Sequence, residues 1–382
     1  MAKLQSINPS NYEVLGEVEV STPKEIADKV QLARGAQKEW RSLGVAVRVS
    51  ILRKAFDEFK SRKEELALLM SKEMGMPIAD ARQGFEGPDG ALSYASWYFE
   101  NAEKYLSPET TFEDDKEIHQ VFCEPIGVVA VIIPWNFPFA NFVWGCAQSL
   151  IAGNTVVLKH SEECPLSGKF IEDVMSRHVP KGVFNEVYGD GEVGKLLVER
   201  DIDMIAFTGS TKTGKYLYEV AGRKFIKAVM ELGGSAPGII FEDANIDLAV
   251  GNACFSRLYN EGQCCDGLKR LVVQESVYDS VMEKVAANFS AKKVGNAQEK
   301  DTEVGPLAAK RQLDALVSQV EDAKEKGATV VAGGNSLEEK MGGAFFEPTV
   351  LADVKSDMRV WKEEVFGPVL PIVKFKTENE AI

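Results

Sequence analysis

The stretch Asn260-Glu261-Gly262-Gln263-Cys264-Cys265-Asp266-Gly267 places two adjacent thiols directly after a Gly-Gln turn. A thiolate attacks carbonyl carbon well, and the thioester it forms keeps the acyl group reactive enough for water to remove it. The chain has only three histidines, His119, His160 and His178, all far from the pair in sequence. A Cys–His dyad would need one of them to meet the thiols in space. The composition favours a carboxylate as the base. Such chemistry needs an oxyanion stabiliser and a carboxylate base, and a redox cofactor where the carbonyl is oxidised.

Each part has candidates, and each candidate has a plainer alternative. Pro134-Trp135-Asn136-Phe137-Pro138 follows the apolar run Gly127–Ile133, with two prolines fixing the backbone around one amide side chain. Asn136 either donates to a developing oxyanion or is a turn asparagine satisfying local backbone. In Met230-Glu231-Leu232-Gly233-Gly234 a carboxylate ends an apolar strand. Partial desolvation there would raise Glu231 toward the pKa of a general base; the alternative is a helix-capping or salt-bridged glutamate. Phe207-Thr208-Gly209-Ser210 ends a strand and opens a helix, where backbone N–H groups can hold a pyrophosphate. Gly189-x-Gly191-x-x-Gly194 has the dinucleotide-binding form, though glycine turns of both kinds are often purely structural. Lys159 and Glu162 either grip ribose hydroxyls or form an exposed ion pair. Glu364 and Phe366, in Glu363-Glu364-Val365-Phe366-Gly367-Pro368, are placed for similar work.

The elements that would carry these residues alternate in type. Thr22-Pro23-Lys24-Glu25 is a capping box, and Ile26, Val30, Ala33 and Trp40 fall on one helical stripe. A second long helix is expected over Ile51–Met74. From Gly127 onward, strands at Gly127–Ile133, Thr155–Lys159, Phe184–Tyr188, Met204–Thr208 and Lys227–Leu232 alternate with helices at Pro165–His178, Glu192–Arg200 and Lys212–Gly222. That alternation predicts a doubly wound parallel sheet, which binds ligands at the carboxyl ends of its strands. After Gly233-Gly234 the pattern restarts. Strands are expected at Gly238–Phe241, Arg270–Gln274 and Ala328–Ala332, with helices near Ala244–Tyr259, Val277–Val294 and Ala308–Lys326. The fold class is therefore α/β, a Rossmann-type parallel sheet domain followed by a second α/β domain. The charged stretch Glu113–Glu117 reads as a solvated hairpin tip.

Composition narrows the function classes. The chain has 382 residues, 45% hydrophobic and 27% charged, as expected of a soluble protein with two or more lobes. A formal charge of −14 argues against nucleic acid as a partner. No apolar run approaches the ~20 residues that span a bilayer. The start, Met1-Ala2-Lys3-Leu4-Gln5-Ser6, lacks the apolar core of a signal peptide. The six cysteines are too sparse for a disulfide scaffold and show no zinc spacing, so no metal is expected and a reducing cytoplasm fits best.

Taken in order along the chain, these motifs resemble the aldehyde dehydrogenase superfamily. The resemblance rests on Pro134–Pro138, Gly153-Asn154 with Lys159, Phe207–Ser210, Glu231–Gly234, Gly262-Gln263-x-Cys265 and Glu364-x-Phe366-Gly367-Pro368. It implies that Cys265, the second residue after the glutamine, attacks the aldehyde. Asn136 and the Cys265 backbone N–H would stabilise the oxyanion, hydride would pass to nicotinamide, and Glu231 would activate water against the thioester. Cofactor contacts would come from Lys159 and Glu162 at the adenosine ribose, Gly189 near adenine, and Gly209 and Ser210 at the pyrophosphate. Glu364 would hold the nicotinamide ribose, with Phe366 and Trp135 nearby. Glu162 beside the ribose 2′ position would favour NAD over NADP. The implied domains are an NAD-binding domain over 1–110 and 126–232, an oligomerisation hairpin over 111–125 and a catalytic domain over 233–382.

The resemblance is closest to the succinate-semialdehyde dehydrogenase-like branch, through Gly233-Gly234-Ser235 and Lys269-Arg270. Where that branch tends to carry carboxylate-binding arginines, this chain has Trp144 and Tyr259. These are either an aromatic pocket favouring apolar or aromatic aldehydes or ordinary core aromatics. The chain ends at Glu380-Ala381-Ile382, inside a helix start and earlier than its relatives, so an incomplete pocket and a weakened subunit interface are expected. An intact relative would be a homodimer or homotetramer. Two other readings remain: a coenzyme A-acylating dehydrogenase, against which Glu231 argues, and an inactive NAD-binding relative. Cys264 beside Cys265 also suggests a strained, reversible disulfide.

Overall fold

The computed structural model describes residues 2–382. The chain divides into two compact units. The first comprises the residues up to Ser6, Gly16–Leu69 and Arg82–Leu232; the second comprises Ile7–Leu15, Met70–Ala81 and Gly233–Ile382.

The N-terminal strands β1 (Lys3–Ile7) and β2 (Val14–Glu19) pair, and β3 (Glu109–Glu113) pairs antiparallel with β4 (Ile118–Val121). Between these pairs run α1 (Pro23–Ser42), α2 (Gly44–Ser61), α3 (Lys63–Met74), α4 (Ile78–Glu86) and α5 (Ala91–Leu106). The capping box at Thr22 forms as expected, and Ile26, Val30, Ala33 and Trp40 are the buried stripe of α1. The single helix expected over Ile51–Met74 is instead two. Arg62 leaves helical geometry (φ −108°, ψ 18°), and its N–H is shared between the carbonyls of Glu58 and Phe59. Its guanidinium is held by Glu65 and Glu58, so the side chain anchors the break. The β3–β4 hairpin is exposed throughout, and its tip is an Asx turn in which the Lys116 and Glu117 amides donate to Asp114 Oδ1.

The sheet of the first unit contains β5 (Val128–Ile132), β6 (Thr155–Lys159), β7 (Phe184–Val187), β8 (Met204–Gly209) and β9 (Lys227–Leu232). Every pairing is parallel, in the order β7-β6-β5-β8-β9. The intervening helices are α6 (Pro138–Phe142), α7 (Gln148–Ile151), α8 (Pro165–His178), α9 (Gly191–Val198) and α10 (Thr211–Lys224). β5 is apolar at every position because both its faces are covered. Val128, Ala130 and Ile132 pack with Ile26, Val30 and Ala33 of α1, Leu197 of α9 and Leu217 of α10. Val131 points the other way, where a Cβ on Gly145 would strike it. Gly145 belongs to a π-helical turn, Val143–Ala147, between α6 and α7. Phe56, Phe59, Phe139 and Phe142 form a ring cluster among α2 and α6. The strand order turns back on itself between β5 and β8, and ligand crevices in such sheets open at that point, beyond the carboxyl ends.

The second unit has its own sheet: β10 (Pro237–Ile240), β11 (Arg270–Gln274), β12 (Thr329–Ala332), β13 (Thr349–Ala352) and β14 (Val369–Phe375). The order is β10-β11-β14-β13-β12, parallel except for β12 at the edge. Helices α11 (Ile246–Leu258), α12 (Tyr278–Ser290) and α13 (Lys310–Glu325) complete it. The sequence pattern did not reveal β13 or β14, and β14 contains Pro371, which argues against a central strand. The register explains how it is tolerated. Residues 369–371 pair with β13, and residues 372–375 pair with β11. Pro371 therefore sits where the ladder passes from one neighbour to the other.

Candidate active site

In the first unit the candidate binding residues lie beyond the carboxyl ends of the parallel strands. After β5, Trp135 and Asn136 are both buried, at 8% and 4% exposure. Asn136 Oδ1 accepts from Asn141 Nδ2 at 3.3 Å, so the amide is oriented through a neighbour on α6. At the end of β6, Lys159 is buried and its ammonium donates to Glu162 Oε2 at 3.2 Å. The pair is partly buried rather than the exposed pair that was the plainer expectation, because Lys159 ends a strand covered on both faces. After β7, Gly189 has φ +146° and a Cβ there would strike Val193, so only glycine fits the turn into α9.

β8 leads through Gly209, where a Cβ would collide with the Phe207 ring, to Ser210 at the N-cap of α10. Ser210 Oγ accepts from the Thr213 amide at 3.3 Å. The remaining first-turn amides of this 14-residue helix stay available beside a chain with no side chain at Gly209. An electropositive helix start, a buried lysine and two glycine turns at one sheet end suit a dinucleotide. Glu231 ends β9, and here the expected partial desolvation is corrected: the residue is exposed. β9 packs Ala228, Met230 and Leu232 against the core, so its burial alternates and Glu231 lies on the open face. Trp144, in the π-helical turn, is 38% exposed and meets Tyr94 edge-on at 6.0 Å, so it is not a core aromatic.

The thiol loop belongs to the second unit and is built around an unusual backbone. Asn260 and Glu261 are both left-handed, with φ +50° and +55°, and Gly262 follows at φ +75°. Non-glycine residues there cost about 1–2 kcal/mol each, so the surroundings must enforce the turn. They do so through buried and part-buried polar side chains. The Asn260 amide donates to Asp80 Oδ2 at 3.2 Å. Glu261 Oε1 accepts from the Gly305 amide at 2.9 Å, and its Oε2 accepts from Gln263 Nε2 at 3.2 Å. Gln263 Oε1 accepts from the Ala308 amide at 3.0 Å. The fully buried Arg257 guanidinium donates to the carbonyls of Leu268, Gly262, Val365 and Gly367. Burial raises the Asp80 carboxyl to about 6 and keeps Glu261 well above the ordinary carboxylate range.

The two thiols differ sharply. Cys264 is buried, its thiol donates to the Tyr259 carbonyl at 3.3 Å, and burial raises its pKa strongly. Cys265 is exposed. Partial desolvation of its sulfur and the Asp266 carboxylate raise its pKa; the backbone N–H groups of Asp266 and of Cys265 itself, and more weakly Lys269, act the other way. Glu364 accepts from the Gly234 amide at 3.3 Å, and its carboxylate lies so close over Gly233 that a Cβ there would overlap it. Phe366 carries the Lys269 ammonium over its ring at 4.5 Å. Tyr259 is partly buried and stacks obliquely on Phe255 at 5.6 Å. Arg257 and Asp80 were not among the residues the sequence pointed to, and Glu261, Gln263 and Lys269 were named there only within motifs, without the contacts that hold the loop. Gln263 and Glu261 were visible inside the cysteine motif, but Asp80 and Arg257 reach the loop only through folding.

The profile of the aldehyde dehydrogenase family matches residues 2–382, and the chain belongs to that family. Its members oxidise aldehydes to carboxylic acids with NAD or NADP, and this chain is an aldehyde dehydrogenase of that kind. It is 38% identical over 383 residues to a glutarate-semialdehyde dehydrogenase of Pseudomonas putida, spanning 98% of this chain and 77% of that protein. An NAD+ complex of a Bacillus cereus aldehyde dehydrogenase superimposes with a TM-score of 0.94 at 34% identity, covering 100% of this chain and 77% of the other. An NADP-dependent enzyme of E. coli does so at 0.94 and 36%, covering 100% and 79%. Among the described residues no group of three His, Cys, Asp or Glu could hold a metal ion, and no helix is long and apolar enough to cross a membrane.

Proposed function

We propose that Cys265 is the nucleophile of this dehydrogenase, because it is the exposed thiol at the end of a clamped loop whose amides face its sulfur. The sulfur adds to the aldehyde carbon. The Asn136 amide and the Cys265 backbone N–H hold the resulting oxyanion. Loss of hydride leaves a thioester on Cys265, and Glu231, exposed and free to reach water, takes the proton of the attacking water. Bound NAD supplies the hydride acceptor.

Lys159 and Glu162 would hold the adenosine ribose, Gly189 would lie near adenine, and Gly209 and Ser210 would face the pyrophosphate. Trp135 would pack against the cofactor, with Glu364 and Phe366 at the nicotinamide side. The Glu162 carboxylate, already paired to Lys159, would repel a 2′-phosphate, so NAD is preferred to NADP. Residues 1–110 and 126–232 would form the NAD-binding domain and 233–382 the catalytic domain. The hairpin within 111–125 would serve a homo-oligomer, and six free cysteines suit a cytoplasmic site.

The exposed Trp144 and the partly buried Tyr259 point to apolar or aromatic aldehydes rather than the dicarboxylic semialdehyde named for the Pseudomonas relative. The experiment is reduced-cofactor formation with aliphatic, aromatic and semialdehyde substrates. Cys265→Ser should lose at least ~10³-fold of the rate. Glu231→Gln should keep a single-turnover burst and lose steady turnover. Full activity of Cys265→Ser would refute the assignment.

A further inference from the structure

Lys269 is the residue of the second unit that the mechanism above leaves unexplained. It is fully buried, an uncommon fate for a lysine, and the Glu364 carboxylate acts on it without closing an ion pair among the described residues. Its ammonium lies over the Phe366 ring at 4.5 Å and donates to the Cys264 carbonyl. That carbonyl and the Cys265 N–H are the two ends of one planar peptide unit. The carbonyl end faces the buried ammonium, and the N–H end faces the Cys265 sulfur. A charge-assisted bond on a carbonyl draws electron density from the amide nitrogen and makes its N–H a stronger donor.

We propose that Lys269 is a positioning residue that strengthens the Cys265 N–H as an oxyanion donor, by holding an ammonium on the far end of the same peptide. The inference rests on the reading of Cys265 as nucleophile. Burial, with Arg257 adding to it and Glu364 opposing, lowers the Lys269 pKa to about 7, so the ammonium and its effect on the peptide are present below pH 7 and fade above it. Lys269 is the weakest of the named influences on the Cys265 thiol itself. Its direct effect on the thiol is therefore small, and what it does through the Cys265 N–H should weigh more on the oxyanion than on the thiolate.

The test separates those two routes. In a Cys123→Ser background, which removes the other exposed thiol, Lys269→Met and Lys269→Gln are compared with the parent. Removing one oxyanion donor costs about 10²–10³ in kcat, so weakening one should cost about 10-fold in Lys269→Met and less in Lys269→Gln, which keeps a neutral donor. KM for aldehyde and the Kd for NAD should stay within about threefold. Alkylation of Cys265 by iodoacetamide forms no oxyanion, so its rate should also stay within about threefold. An unchanged kcat in Lys269→Met overturns the inference, and so does an alkylation rate that falls in step with kcat. If Lys269→Met does not fold, Lys269→Gln is read by the same criteria. A parent chain that reduces no cofactor with any aldehyde overturns the proposed function and this inference with it.

Discussion

Asp80→Asn isolates the cost of clamping the thiol loop with a part-buried carboxylate. Burial raises the Asp80 pKa from 3.8 to about 6, with the Asn260 amide partly opposing the shift. A raised carboxylate pKa means that the folded chain holds the proton after the unfolded chain has released it. Stability therefore falls as pH rises through the window from about 4 to 6, and a constant penalty remains above it. At 1.36 kcal/mol per pKa unit, the penalty is about 1 kcal/mol at pH 4.5 and about 3 kcal/mol above pH 7. Asparagine carries no charge, and its Oδ1 can still accept from the Asn260 amide. The raised pKa already includes the bond from the Asn260 amide, so relative to low pH the asparagine variant should gain about 3 kcal/mol at pH 8 and about 1 kcal/mol at pH 4.5. Urea unfolding of both proteins at pH 4.5, 6 and 8 reads the difference, and hydrogen exchange at the Asn260 amide reports whether the clamp survives. If both proteins show the same pH dependence, or if Asp80→Asn is less stable at pH 8, the account of a strained loop held by a part-buried carboxyl is wrong.

Two further outcomes are expected. Glu162→Gln should raise the preference for NADP over NAD by about tenfold, since one repulsive charge near the ribose is worth about 1.4 kcal/mol, measured as the ratio of kcat/KM for the two cofactors. Gln263→Leu should destabilise the second unit by about 2–4 kcal/mol, because the Ala308 amide and Glu261 lose a partner in a dry interior; thermal melting that moves by less than 1 °C would contradict it.

Much of the fold could be read from residue pattern. Thr155–Lys159, Lys227–Leu232, Arg270–Gln274 and Pro165–His178 stand in the structure with the bounds expected. Their apolar runs, proline starts and glycine stops are local signals. β14 was invisible because its proline contradicts the local rule, and only the change of neighbour at Pro371 excuses it. The break at Arg62 was missed because no glycine or proline marks it, and the anchor is a side chain held by Glu58 and Glu65.

The sequence by itself determined the chemistry on offer: adjacent thiols after Gly262-Gln263, an amide between two prolines, a glutamate closing a strand, and an order of motifs that one family shares. Those properties reside in residue type and short spacing, which survive without coordinates. Tertiary structure decided which groups are dry, which are wet and what each one faces. It buried Cys264 and exposed Cys265, left Glu231 on an edge strand in solvent, and brought Asp80 beside Asn260 across 180 positions of chain. It also set Lys269 behind the peptide that joins the two thiols. Burial and polarisation depend on neighbours supplied from distant segments, so no local reading of residues could have assigned them.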